Sequence, residues 1–271
     1  MNALQELQRN WEGLAQTNPL WAICTDPEKR QGQWSREEFF ATGKHEIERV
    51  LEHLNGLQLE VDRSAPALDF GCGVGRLTRA MAAHFPECWG VDISPTMVKL
   101  ATEYNQNVPQ CHFMLNESSD LKALAAGYFG FIYTSIVLQH IPARYSRRYL
   151  RELLRVTRPG GVVVFQVLDS FRAGVMARWR QKIGMRRKLR RFLAERGQYF
   201  MDSHVMEEQR VRRLIESADG SIVDVCLTNS AERSFNGKLE YVSAAPERGY
   251  VSKQYCVVKQ CETREKARLA E

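Results

Sequence analysis

Between Ser35 and Asn55 the apolar residues Phe39, Phe40, Ile47, Val50, Leu51 and Leu54 recur three and four positions apart, which predicts an amphipathic helix. Ser35 followed by Glu38 supplies a capping box at its start, and Asn55-Gly56 a stop at its end. Residues 2–15 repeat the pattern with Leu4, Leu7, Trp11 and Leu14, and Asn2 stands where a cap is needed. From Ala67 onward the period changes. Ala67, Leu68 and Phe70 form a short apolar run that stops at Gly71-Cys72-Gly73-Val74-Gly75, after which Leu77, Ala80, Met81 and Phe85 return at helical spacing. This reads as strand, tight turn, helix.

The alternation then continues. Trp89, Gly90 and Val91 lead a second strand ending on Asp92, and Ser94-Pro95 opens a helix through Met97, Val98, Leu100, Ala101 and Tyr104. Apolar runs at 111–115, 129–135 and 162–167 predict three more strands, with a helix over 147–156 before the last of them. A helix over 207–217 precedes two final strands, 222–227 and 249–258, expected to be antiparallel at the sheet edge. Strands alternating with helices predict an α/β fold, a doubly wound and mainly parallel sheet.

The glycine turn is the first candidate for chemistry. A helix starting after such a turn aims unpaired N–H groups above the strand end, and glycine lets a ligand approach the backbone. Asp92 lies 23 residues beyond Asp69, where a carboxylate can accept from both hydroxyls of a ribose. A dinucleotide fingerprint begun at Gly71 would need glycine at 76, and this chain has Arg76. Asp69, two residues before the first glycine, would repel a pyrophosphate but can hold the ammonium of a methionine moiety.

Leu68-Asp69-Phe70-Gly71-Cys72-Gly73-Val74-Gly75-Arg76 with Val91-Asp92-Ile93-Ser94 downstream resembles the class I S-adenosylmethionine-dependent methyltransferases of small-molecule type, over roughly residues 65–168. The resemblance implies a Rossmann-like sheet of seven strands and S-adenosyl-L-methionine as cofactor. It places Asp69, Gly71, Cys72, Gly73, Gly75 and Arg76 at the methionine end, Asp92 and Ile93 at the ribose, and Met97, Glu117 and Ser118 at the adenine. The stretch Leu138-Gln139-His140-Ile141-Pro142 is similar to an ending common in the family. It implies that Ser135 and Gln139 border the methionine part, and His140, past the fourth strand, becomes the candidate general base. One departure is Gly130, where the family commonly has aspartate. A nicotinamide-dependent oxidoreductase and a non-catalytic cofactor-binding module are the competing readings.

The chain has 271 residues and a net charge of +6, but the charge is concentrated. Residues 171–196 hold ten Arg or Lys against Glu195, leaving 28 basic and 31 acidic residues elsewhere, a net −3. Phe171, Val175, Trp179 and Ile183, then Leu189, Phe192 and Leu193, predict two short basic amphipathic helices parted at Gly184. Such a cover suits a small anionic acceptor, for example a sugar, a lipid-linked saccharide or another metabolite methylated at O or N, or peripheral contact with an anionic membrane. Nucleic acid is not expected, for want of a base-stacking platform. The expected organisation is an N-terminal helical lid (1–60), a cofactor-binding core (61–170), the basic insertion (171–205), the rest of the core (206–260) and a charged tail (261–271). Seven cysteines without a C-x-x-C point to reduced thiols in the cytoplasm and to no metal site. Oligomeric state is left open.

Overall fold

The computed structural model describes residues 2–29, 32–172, 199, 201–232 and 235–261. Asn2 accepts from the backbone of Leu4 and Gln5 and starts α1 (Ala3–Thr17); Asn18 caps the short α2 (Pro19–Ile23). The capping box of Ser35 and Glu38 forms as expected and opens α3 (Arg36–Gly56).

The sheet follows: β1 (Ala67–Phe70), α4 (Arg76–Met81), β2 (Cys88–Asp92), α5 (Pro95–Tyr104), β3 (Cys111–Leu115), β4 (Phe129–Thr134), α6 (Ala143–Val156) and β5 (Thr157–Arg172). It is completed by α7 (Glu208–Glu216), β6 (Gly220–Thr228), β7 (Tyr241–Val242) and β8 (Gly249–Lys259). Strand order is β3-β2-β1-β4-β5-β8-β6-β7. The first five are parallel, and β8 runs antiparallel to both β5 and β6. Among the described residues the sheet carries eight strands where seven are expected, because Tyr241 and Val242 pair with Leu227 and Thr228, a ladder too short for periodicity to reveal.

Residues alternate between two apolar layers along the strands. Leu68, Ile132, Val163 and Phe165 pack with Leu150, Leu153, Leu154 of α6 and Val211, Leu214, Ile215 of α7. Ala67, Phe131, Tyr133, Val162 and Val164 pack with Ile47, Val50, Leu51, Leu54 of α3 and Leu77, Ala80, Met81 of α4. Burial on both faces explains why the central strands read as continuous apolar runs. Gly130 has a steric reason: a Cβ there would lie 2.7 Å from Ala65 Cβ, so no aspartate fits.

β5 is longer than the sequence pattern suggests. Phe171 pairs with Tyr250 and Arg172 with Gly249, so the first two residues of the expected basic helix are strand. An apolar residue every fourth position also satisfies the period of two, and the long β8 supplies the ladder partner. Residues 201–205 are likewise not helical, Val205 making an isolated bridge to Leu168. The remainder of the basic segment, 173–198, and the tail 262–271 lie outside the described residues.

Candidate functional site

The chain runs β1, β2, β3 to one side and then returns to place β4 on the other side of β1, so the carboxyl ends of β1 and β4 flank the point where the winding reverses. Open α/β sheets bind ligands there. A chamber opens at this point, lined by Phe70, Gly71, Cys72 and Gly73 after β1, Val91, Asp92 and Ile93 at β2, Asn116 after β3, and Ser135, Ile136 and Val137 after β4. Leu7 and Trp11 of α1, with Ala22 and Ile23 at α2, line it from the N-terminal side.

The turn's geometry is enforced by glycine at two places. Gly71 (φ 79°) and Gly73 (φ 52°) are left-handed, and a Cβ at either would come within 2.4 Å of Val137 or Ile23. Gly73 N–H donates to Asp92 Oδ2 (2.9 Å) and Ser94 N–H to Asp92 Oδ1 (2.9 Å). Each oxygen keeps a second lone pair for a hydroxyl. Burial raises the Asp92 carboxyl's pKa, and the hydrogen bonds from Ser94, Gly73 and Ile93 oppose the rise.

Asp69 does not face the chamber. It is 1 % exposed and accepts from Thr78 Oγ1 (2.7 Å); burial pushes its pKa to about 7 against the Thr78 bond and the Arg76 charge. Arg76 lines the chamber while its Nη2 donates to Glu46 (2.7 Å) and its Nη1 to Thr42 (3.2 Å). Glu46, fully buried, also accepts from Tyr133 Oη (2.8 Å).

A second chamber adjoins the first, and Ala22, Ile23 and Ile136 line both. Its polar lining comprises Thr25, Gln139, His140, Ser203, Ser230, Glu232 and Tyr250, with Leu168, Met201 and Phe235 as apolar walls. The shared Ile136 has φ 60°, a costly conformation for a β-branched residue. Gln166 holds it: Ile136 N–H donates to its Oε1 (3.1 Å), while its Nε2 donates to Gln139 Oε1 (3.0 Å) and Ser252 Oγ (2.8 Å). Gln139 Nε2 donates in turn to His140 Nε2 (3.0 Å), and His140 Nδ1–H donates to the Asp202 carbonyl (2.6 Å). That pattern fixes a neutral imidazole. Burial, with a small contribution from His204, lowers the His140 pKa to about 4.

Residues 68–165 match the family described as Methyltransferase domain. That stretch is similar to a methyltransferase domain, as the resemblance of the Leu68–Arg76 and Val91–Ser94 motifs to S-adenosylmethionine-dependent methyltransferases implies. A trans-aconitate 2-methyltransferase from Deinococcus radiodurans is 33% identical over 103 residues, 38% of each chain. A ubiquinone biosynthesis O-methyltransferase from Xanthomonas axonopodis is 29% identical over 129 residues, 45% of this chain and 53% of that one. The matches therefore span about two fifths to a half of these relatives' length. Among solved structures, a magnesium protoporphyrin IX methyltransferase from Synechocystis with bound SAH aligns with TM-score 0.52 at 18% identity, covering 81% of this chain and 84% of that one.

Within this methyltransferase core, the first chamber gathers Gly71, Cys72, Gly73, Arg76, Asp92, Ile93, Met97 and Ser135. Gly75 instead begins α4, and a Cβ on it would strike Asn105 and Phe113. Gln139 and His140 belong to the second chamber. Glu117 is exposed and accepts from Gln8 Nε2 of α1; Ser118 gives its carbonyl to Tyr149 Oη and its hydroxyl to Asp120 (3.0 Å). Neither lines the chamber, whereas the neighbouring Asn116 does.

Glu12 escaped sequence reasoning. From α1 it accepts from Ser94 Oγ (2.7 Å), Thr96 N–H (3.1 Å) and Thr96 Oγ1, fastening α1 beside Asp92. Burial opposes its ionisation, but the bonds from Ser94 and Thr96 outweigh it and hold the carboxyl below its ordinary range. On the polar face of an amphipathic helix nothing distinguishes such a residue from a solvated one.

Proposed function

We propose that this protein methylates a small molecule at oxygen or nitrogen, with S-adenosylmethionine held in the first chamber and the acceptor in the second. The observation that carries the reading is the shared wall at Ile136: one chamber has the glycine turn and a doubly anchored aspartate, the other a neutral buried imidazole. When bound, S-adenosylmethionine supplies a methyl group on a sulfonium, a leaving group that needs no activation. The protein's part is then to align, to exclude water and to receive a proton where the acceptor has one.

In this reading Asp92 receives the ribose hydroxyls, the backbone at Gly71 to Gly73 borders the methionine end, and Met97 with Asn116 flanks the adenine. Arg76, already neutralised by Glu46, faces the same chamber with its Nε unpartnered. Asp69 supports the turn through Thr78 and acts on the ligand indirectly. Glu117 acts through Gln8, tying α1 over the chamber, so that α1 serves as a lid latched by Glu12 and Glu117. His140 receives the acceptor's proton on Nε2, displacing the Gln139 amide.

The relatives are named for trans-aconitate, ubiquinone biosynthesis and magnesium protoporphyrin IX, which supports a small acceptor without selecting one. Among the described residues the second chamber has one carboxylate, Glu232, and no Lys or Arg. Charge complementing an anionic acceptor, or an anionic membrane surface, would come from the basic segment 173–196. Among the described residues no helix is long and apolar enough to cross a membrane.

The test is calorimetric titration with S-adenosylhomocysteine and, separately, NADH, followed by labelled-methyl transfer into fractionated cell extract. Binding of the first ligand alone and a labelled small product are expected. Binding of NADH alone would overturn the cofactor assignment; cofactor binding with no labelled product would leave a binding module.

A further inference from the structure

His53, Asp224 and Cys226 line neither chamber, and they converge on the seam between the last turn of α3 and β6. His53 Nε2–H donates to Asp224 Oδ2 (2.8 Å), Cys226 Sγ lies 3.9 Å from the same nitrogen, and all three donor atoms fall within 4.8 Å of one another.

A β-bulge creates this convergence. Ile222 pairs with Val257 and Asp224 with Cys256, so Val223 is an extra residue, and its side chain is 45 % exposed. Strict alternation would put Ile222, Asp224 and Cys226 on one face. With the bulge, Ile222 and Val225 both pack into the layer of α6 and α7, while Asp224 and Cys226 turn together toward α3. Tyr241 stacks on the imidazole at 4.4 Å and 29°, and its hydroxyl is fixed by Gln254 Nε2 (2.8 Å). Two ligands from one strand and one from a helix are thus oriented before anything binds.

We propose that His53, Asp224 and Cys226 bind a divalent transition-metal ion of the zinc class. Nitrogen, oxygen and sulfur donors in one site suit such an ion, while magnesium and calcium take oxygen alone. Tetrahedral coordination at bond lengths of about 2.0–2.3 Å separates neighbouring donors by about 3.3–3.6 Å. The observed 2.8 and 3.9 Å lie within about half an ångström of that spacing, the first too short because a proton now sits between nitrogen and oxygen. On binding, the imidazole moves its proton to Nδ1 and the thiol releases one to solvent. The His53 and Asp224 side chains are 22 % and 26 % exposed, which gives the ion a path in and leaves a fourth position for water. The ion would clamp the end of α3 to β6, two helical turns from Glu46.

The experiment uses the reduced full-length protein stripped with a chelator and titrated with cobalt(II). A thiolate-to-cobalt absorption band is expected, displaced by zinc and unaffected by magnesium, together with a zinc-dependent rise in melting temperature. Cys226→Ser should abolish the band. Asp224→Asn keeps an acceptor for the imidazole N–H, so the metal-free melting temperature should hold while cobalt binds more than about tenfold weaker. S-adenosylhomocysteine affinity should be unchanged throughout, which separates this site from the first chamber. No band in the folded parent, a band that survives in Cys226→Ser, or undiminished cobalt affinity in Asp224→Asn overturns the proposal.

Discussion

The two chambers share Ile136 yet are built from different materials. The first is lined by the turn at Gly71 to Gly73, the strand ends at Asp92 and Ser135 and apolar side chains such as Trp11, Phe70 and Met97, and its one anchored carboxylate is held by main-chain donors. The second is lined from six separate stretches of the chain, and its key groups hold one another: Gln166, Gln139 and His140 form one hydrogen-bonded chain. A carboxylate fixed by main-chain donors is held by the sheet itself, while a chain of side-chain amides can be refitted without disturbing the sheet. The proposed division between cofactor and acceptor follows that line.

The largest expected effect lies beneath the first chamber. Arg76 and Glu46 are both buried, with side chains 4 % and 0 % exposed, and Glu46 also receives the Tyr133 hydroxyl. Glu46→Ala strands a buried charge and should cost about 3–5 kcal/mol in urea unfolding. Replacing Glu46 and Arg76 together with methionine should recover most of the loss. A Glu46→Ala protein as stable as the parent would show that the pair is solvated in solution.

Next comes the proposed ribose contact. Asp92→Ala removes charged hydrogen bonds of roughly 1.5–3 kcal/mol. It should weaken S-adenosylhomocysteine binding about ten- to a hundredfold by calorimetry. Unchanged affinity in the folded variant would remove Asp92 from the ribose.

This order of effects matches what was legible in the chain. The strand-turn-helix at 67–81 and the placement of Asp92 at the end of β2 are legible because their parts are local: apolar period, glycine and a carboxylate at a strand end all lie within 26 residues. Where partners are remote, the sequence does not show them. Nothing in the motif shows the Asp69 side chain turning to Thr78, and the partner of Glu117, Gln8, lies 109 residues away. Glu46, Glu12 and Gln166 gave no signal at all. Each sits in an ordinary helical or strand pattern and acquires its role only when another element is brought against it.

The side-chain chamber offers an intermediate effect. Gln166→Leu leaves Ile136 N–H, Gln139 Oε1 and Ser252 without their shared partner, at a cost of about 1–3 kcal/mol for the unsatisfied groups. Ile136 should then relax from its left-handed conformation. Turnover should fall more than cofactor affinity does, because the displaced segment is the wall between the chambers. An equal loss in both, read from kinetics and calorimetry on the same variant, would make Gln166 a purely structural residue.

The smallest expected effect is on the pH dependence of turnover near neutrality. An ordinary histidine base would lose activity as pH falls through about 6.5. His140 is buried, gives Nδ1–H to Asp202, and has its pKa lowered to about 4, so in the folded protein it stays neutral well below the usual midpoint. The sign for stability follows. The unfolded chain binds the proton first as pH drops below about 6.5, so folding stability is lost progressively from there down to about pH 4, without the native imidazole having charged. The kcat/KM profile should therefore be flat through pH 6 and bend on its acid side near 4, and His140→Gln should lower the plateau without moving any limb at neutral pH. A limb near 6.5 that vanishes in His140→Gln would mean that the imidazole is solvated when the acceptor binds. An unlowered plateau in that variant would leave His140 as a positioning group for Gln139 and Asp202 alone.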